Sequence, residues 1–174
     1  MGNPTVTSTV ALASAGDEAA FARLVAAYHA DMARVAFVAC GDRELAEDAV
    51  QSAWLVAWRK LRSLRDPDRV RPWLLSVTAN EARQLLRRRH GPVVEIHVDV
   101  PGDARSDPST GIERLDLRRA LGHLSPDDRA LLAMRYVVDL SSDELASAVG
   151  TSPSAARTRL ARVIDRLRKE LRDG

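Results

Sequence analysis

Cysteine occurs once in this 174-residue chain, at Cys40, so no internal disulfide can form and no thiolate cluster can assemble. That scarcity fits a reducing compartment, and a cytoplasmic location is expected. No apolar run approaches the roughly 20 residues needed to cross a bilayer, so no membrane insertion is expected. The four histidines, His29, His90, His97 and His123, are dispersed. There is no Cys/His cluster, no carboxylate pair set for acid–base work and no glycine-rich phosphate loop. These absences point away from an enzyme. No catalytic, cofactor-binding or metal-ligating residue is assigned, and no cofactor is expected. The start "MGNPTVTSTVALASAG" lacks the basic segment of a signal peptide and reads as a flexible leader over residues 1–16. Val6 stands where N-myristoylation would require Ser or Thr.

What is present favours helix. Alanine, leucine and arginine dominate and aromatics make up only 4%. With 29% charged and 45% hydrophobic residues, the composition is that of a folded protein of one ordinary or two small domains. The net charge of +2 conceals an uneven distribution. Residues 17–89 carry 13 basic and 10 acidic side chains, and residues 90–112 carry one basic and four acidic. Residues 113–149 carry five basic and seven acidic, and residues 150–174 carry seven basic and three acidic. Basic charge gathers around 83–89 and 157–172, a footprint for two contacts with a polyanion.

The first block spans residues 17–90. In "GDEAAFARLVAAYHADMARVAFVAC" Asp17 and Glu18 suit a helix start, and Phe21, Leu24, Val25, Tyr28, Met32 and Val35 follow a 3-4 spacing. Gly41 ends this helix and Asp42 begins the next, whose stripe is Leu45, Ala49, Ala53, Ala57 and Leu61. After the loop "RSLRDPDRVRP", Pro72 falls in the first turn of a third helix, where a missing N–H costs nothing. That helix contains "WLLSVTANEARQLLRRRH". Leu74, Leu75, Ala79, Ala82, Leu85 and Leu86 fall on one face, and Ser76, Asn80, Arg83, Gln84, Arg87 and Arg88 on the other. Trp73 and Val77 belong to the second group. Arginines at a helix C-terminus complement the dipole, and Trp73 can pack under a neighbour. An aromatic, an amide and a row of guanidiniums also suit an unstacked nucleic-acid strand. The helix alone does not decide.

From 91 to 111 the acidic, proline- and glycine-rich sequence reads as an extended linker, although "VEIHVDV" alternates like a strand. A second block, 112–174, is again helical. Ser125, Pro126 and two aspartates open one helix, and Ser141 and Glu144 form a capping box. Gly150 stops the capped helix, and Ser152 with Pro153 opens the last, buried along Ala156, Leu160, Val163, Leu167 and Leu171. A helix of about eight residues, a glycine turn and a longer arginine-bearing helix make the helix-turn-helix pattern. Ser154, Arg157, Thr158, Ala161 and Arg162 face away from the apolar stripe, where such helices reach base edges.

Three stretches then resemble the bacterial extracytoplasmic-function (ECF) class of RNA polymerase sigma factors. "AEDAVQSAWLVAWRKL" (46–61) is similar to the family's polymerase-binding helix. "RPWLLSVTANEARQLLRRR" (71–89) is similar to its promoter-melting and −10 recognition helix, and "LSSDELASAVGTSPSAARTRLARVIDRLRKEL" (140–171) to its −35-reading helix-turn-helix. Their order and separation match, and the resemblance covers nearly all of residues 17–172. Ala155-Ala156, Val163-Ile164 and Ala161 depart from family habit, which bears on the −35 sequence read and not on the fold.

The resemblance implies an all-α protein of two small helical domains joined by an extended linker. It implies an alternative sigma factor whose partners are core RNA polymerase (beta-prime and beta subunits), promoter DNA and an anti-sigma factor. Polymerase binding falls to Asp48, Gln51, Trp54, Leu55, Trp58 and Arg59. Capture of the melted −10 strand falls to Arg62, Arg65, Trp73, Val77, Asn80, Arg83, Gln84, Arg87 and Arg88. Reading of −35 duplex falls to Arg135, Ser154, Arg157, Thr158, Ala161 and Arg162. Two other readings compete: a two-domain helix-turn-helix regulator binding an operator without polymerase, and a helical adaptor whose arginines serve solubility.

Overall fold

A computed structural model describes residues 4–90 and 108–173, with side chains described over 5–89 and 115–172. Among the described residues every regular element is helical. The order is α1 (Pro4–Ser14), α2 (Glu18–Cys40), α3 (Arg43–Lys60), two 3-10 turns (Leu61–Ser63 and Pro67–Arg69), α4 (Val70–His90), α5 (Pro108–Gly122), α6 (Pro126–Tyr136), α7 (Ser142–Val149) and α8 (Pro153–Asp173). The segment "VEIHVDV" lies outside the described residues. None of the described helices is long and apolar enough to cross a membrane.

Local chemistry sets most boundaries. Asp17 caps α2 by accepting from the Ala20 N–H, and Asp42 caps α3 by accepting from Leu45. Gly41 ends α2 at φ 70°, a left-handed conformation that glycine adopts without a Cβ penalty. Ser125 caps α6, and the capping box between Ser141 and Glu144 opens α7.

Two boundaries differ from the sequence reading. The leader is not a loose end: residues 4–14 form α1. Val6, Val10 and Ala13 recur at helical spacing, and Val10 and Ala13 are buried. Thr7 Oγ1 donates to Asp68 at 3.1 Å, tying α1 to the second 3-10 turn. Helix α5 begins at Pro108, inside the stretch expected as linker, since proline is well tolerated in a helix's first turn.

In the first block α2, α3 and α4 pack together. Their core holds Leu24, Met32 and Val35 from α2, Ala49, Val50 and Ala53 from α3, and Leu74, Leu75 and Leu86 from α4. The alanines let helices approach closely, and each buried leucine contributes about 2 kcal/mol. Buried Thr78 is satisfied by donating to the Leu74 carbonyl one turn back. In the second block Leu131, Met134, Leu140, Leu145, Ala156 and Val163 are buried. Leu160 and Leu167 are half-buried, and Leu171, expected on the same stripe, is 41% exposed in the last turn of α8.

The two blocks pack as one body, with α6 against α2 and α4, and α7 against α4. Arg129 of α6 sits at the seam with no solvent exposure. Its Nε and Nη2 donate to the Ala39 carbonyl at 2.9 and 2.7 Å, and Nη1 donates to the carbonyls of Leu124 (3.0 Å) and Leu121 (3.4 Å). Ala39 is in the last turn of α2, where carbonyls lack intrahelical partners and carry the dipole's negative end. Burial lowers the Arg129 pKa to about 10, so it stays charged at neutral pH. Burial raises the neighbouring Cys40 thiol to about 12, opposed in part by Arg129, which keeps that thiol protonated and inert.

Arg129→Met keeps the side chain's bulk but leaves these carbonyls unpaired. It should cost about 2–4 kcal/mol in urea unfolding, since a buried acceptor without its donor carries its full desolvation cost. An unchanged midpoint would show that the carbonyls find other donors.

Candidate polymerase and nucleic-acid interfaces

Helix α3 buries Leu45, Ala49, Ala53 and Ala57 and turns its opposite stripe to solvent. On that stripe Asp48, Gln51, Leu55, Trp58 and Arg59 are all exposed, at spacings of three and four. Leu55 is 60% and Trp58 42% exposed, large apolar side chains flanked by charge, as a docking surface presents. Phe21 of α2 sits edge-on to both Trp54 and Trp58, with ring centroids 5.6 and 4.8 Å away. Trp54 is half-buried and its indole N–H donates to His29 Nδ1 at 3.3 Å. Trp54 therefore braces the stripe from beneath, while Leu55 and Trp58 project from it.

The polar face of α4 is open at its ends and covered in the middle. Arg62 and Arg65, between α3 and α4, and Arg87 and Arg88, in the last turns, are exposed. Trp73 and Val77 are half-buried and pack against the core, so the indole is a wall of this face and not a free platform. Asn80, Arg83 and Gln84 are half-buried beside the second block. Arg83 Nη1 pairs with Asp127 of α6 at 3.1 Å, and its Nη2 donates to Asn80 Oδ1. Gln84 donates to Glu81 Oε1 at 3.2 Å. A cleft of about 440 Å³ lies here between α4, α6 and α7, lined by Asn80, Arg83, Asp127, Met134, Ser147 and Arg159 among others.

On α8 the arginines divide by direction. Arg157 and Arg162 are exposed, together with Ser154, Thr158 and Ala161, and Thr158 Oγ1 donates back to the Ser154 carbonyl at 3.0 Å. Arg159 and Arg166 stay partly exposed but reach to α6, each donating to Asp128, at 3.2 and 3.1 Å. Asp128 is itself buried, so this shared carboxylate fixes α8 against α6. Arg135, at the end of α6, bonds Asp139 at 3.0 Å and the Leu140 carbonyl at 2.9 Å. It holds the turn into α7 and keeps 36% of its side chain exposed.

The residues missed in the sequence are those of the seam. Arg71 of α4 bonds Asp31 of α2 at 2.9 Å and the Val138 carbonyl, and lies 3.6 Å from Glu144 of α7. Arg69 donates to the Asp143 carbonyl at 3.2 Å. With Arg129, Asp127 and Asp128, these groups carry no local signal, because the partners that join the two blocks lie far along the chain.

A helical protein with a helix-turn-helix block, an outward aromatic stripe and two sets of outward arginines defines a class of DNA-binding protein with a second, protein-docking surface. Residues 24–91 match the family model "Sigma-70 region 2", and residues 114–167 match "Sigma-70, region 4". CarQ, an RNA polymerase sigma factor of Myxococcus xanthus, is 35% identical over 73% of this chain and 75% of its own length. NccH, a sigma factor of Alcaligenes xylosoxydans, is 30% identical over 93% of this chain and 92% of its own. RfaY of Xanthomonas campestris, named a probable sigma factor, is 32% identical over 91% of this chain, which spans only 42% of that protein. The solved structure of CnrH in complex with the cytosolic domain of CnrY has a TM-score of 0.70 and 26% identity, covering 97% of this chain and 98% of that one. The chain belongs to the ECF class of RNA polymerase sigma factors, alternative sigma factors that direct transcription initiation with core RNA polymerase at promoter DNA. Proteins of this class are non-catalytic.

The split of the α8 arginines gives a test. Arg159→Ala and Arg166→Ala should each lower stability by about 1 kcal/mol, as partly exposed pairs to a buried carboxylate do. Arg157→Ala and Arg162→Ala should leave thermal unfolding unchanged. Equal losses for all four would contradict the inward–outward division.

Proposed function

We propose that the chain initiates transcription in the cytoplasm through three separate faces. The α3 stripe of Asp48, Gln51, Trp54, Leu55, Trp58 and Arg59 docks on the polymerase. Ser154, Arg157, Thr158, Ala161 and Arg162 read the −35 duplex in the major groove, and Arg135 contacts phosphate nearby. The α4 face captures the melted −10 strand: the Asn80 amide offers donors and an acceptor to an unstacked base, and Arg62, Arg65, Arg83, Arg87 and Arg88 neutralise phosphates. Gln84 and the half-buried Trp73 and Val77 complete its walls. The acidic linker expected over residues 91–111 lies mostly outside the described residues. Catalysis then belongs to the polymerase, and no cofactor takes part.

The observation that carries this reading is the separation of the frame from the faces. The arginines Arg71, Arg129, Arg159 and Arg166 are consumed by internal partners. Arg157 and Arg162 are outward with no internal partner among the described residues, and the α3 stripe is exposed on another helix. An adaptor with arginines for solubility alone has no need of that sorting. A regulator acting alone at an operator has no use for an exposed Leu55–Trp58 pair. CnrH is solved bound to CnrY, and RpoE of Bartonella quintana to the anti-sigma factor NepR. By that likeness an anti-sigma factor is proposed as a third partner.

Run-off transcription with core polymerase tests the reading. The double variant Asp48→Ala/Gln51→Ala should keep its helical fold and lose at least about tenfold in core binding, roughly 1.4 kcal/mol. Capture of core at the wild-type level would remove the α3 assignment. Asn80→Ala should bind core normally and reduce promoter opening, read by permanganate reactivity of −10 thymines. A pre-melted −10 bubble should restore it only in part, because the base contact is still missing. Wild-type opening by Asn80→Ala on duplex DNA would make Asn80 a structural residue.

A further inference from the structure

The face assigned to strand capture is not empty in this structure, because the second block stands on it. The inference that follows rests on that assignment of α4. We propose that the free chain is closed by its own helix-turn-helix block, with Asp127 acting as an internal competitor for the strand phosphate at Arg83.

Four observations converge on this state. Arg83 Nη1 donates to both Asp127 oxygens, at 3.1 and 3.4 Å, a bifurcated contact that already places an anion on the guanidinium where a phosphate would sit. Its Nη2 occupies Asn80 Oδ1, so the amide meant for a base is engaged as well. Asp127 lies in the first turn of α6, where the helix dipole favours its charge and holds it in place. Helix α6 is in turn anchored on α2 by buried Arg129, Arg71 of α4 holds Val138 and Glu144 as well as Asp31 of α2, and Arg69 of the second 3-10 turn holds the Asp143 carbonyl of α7. The competitor is therefore delivered by a rigid element.

The closure is selective. Arg62, Arg65, Arg87 and Arg88 remain exposed at the ends of the α4 face, and Arg157 and Arg162 remain exposed on α8. The closed chain keeps its duplex reader and its outer phosphate contacts, and loses the centre of the strand site. Opening the seam exchanges Asp127 for a phosphate at Arg83. The Arg83–Asp127 pair is itself partly exposed, with side-chain exposures of 43% and 39%, so removing Asp127 alone has a modest effect.

Fluorescence anisotropy of the full chain with a labelled, mixed-sequence 20-nucleotide single-stranded DNA, without polymerase, tests this at low salt. Asp127→Asn keeps the shape of the side chain and removes its charge. Glu47→Gln makes the same charge change on α3, away from the seam. Asp127→Asn should bind the strand about three- to fivefold more tightly than Glu47→Gln does. The gain should vanish in Asp127→Asn/Arg83→Ala. If Asp127→Asn binds no more tightly than Glu47→Gln while Arg83→Ala weakens the wild-type chain, strand capture stands and the competitor is overturned. If Arg83→Ala changes nothing in either background, the strand assignment of Arg83 fails, and the competitor with it.

Discussion

At the seam between the two blocks, the guanidinium of Arg129 is buried with no carboxylate partner among the described residues and is held by backbone carbonyls from three places in the chain. A buried charge so placed is tolerable only while the ends of α2 and α5 stay beside it. The requirement works in both directions. The last turn of α2 gains a donor for an otherwise orphaned carbonyl, and α6 gains a fixed position on the first block. From that position follow the covering of α4, the approach of Asp127 to Arg83, and the orientation of Asp128 towards α8.

The arginines of this protein therefore have two trades. Arg71, Arg129, Arg159 and Arg166 organise the frame, each with an acidic or carbonyl partner from another helix. Arg62, Arg65, Arg87, Arg88, Arg157 and Arg162 stand in solvent on faces suited to a polyanion. Arg83 belongs to both groups, and this double membership makes it the natural place for control. On the proposed reading, a strand site sealed until the blocks part would keep duplex binding and strand capture in order.

Helix boundaries were legible where their cause is local. Asp17, Asp42, Ser125 and Ser141 cap as their side chains dictate, and Gly41 and Gly150 stop helices through positive φ. Helix α1 was missed because Val6, Val10 and Ala13 are a weak signal without the surface of α2 to close on. The seam could not be read at all, since Arg129 and Ala39 are 90 residues apart and Arg83 and Asp127 are 44 apart. Trp73 illustrates the middle ground: its place on the polar side of α4 was visible, but only packing shows the ring half-buried. The roles given to the three faces came from family resemblance, because helical spacing distinguishes outward from inward and says nothing of what an outward face meets.

Small-angle scattering of the free 174-residue chain tests the closed body most directly. One compact unit of this length has a radius of gyration of about 16 Å. The account predicts a value close to that, unchanged by dilution and reduced in compactness only when the seam is broken. A radius well above about 20 Å, with the curve of two bodies on a tether, would contradict it.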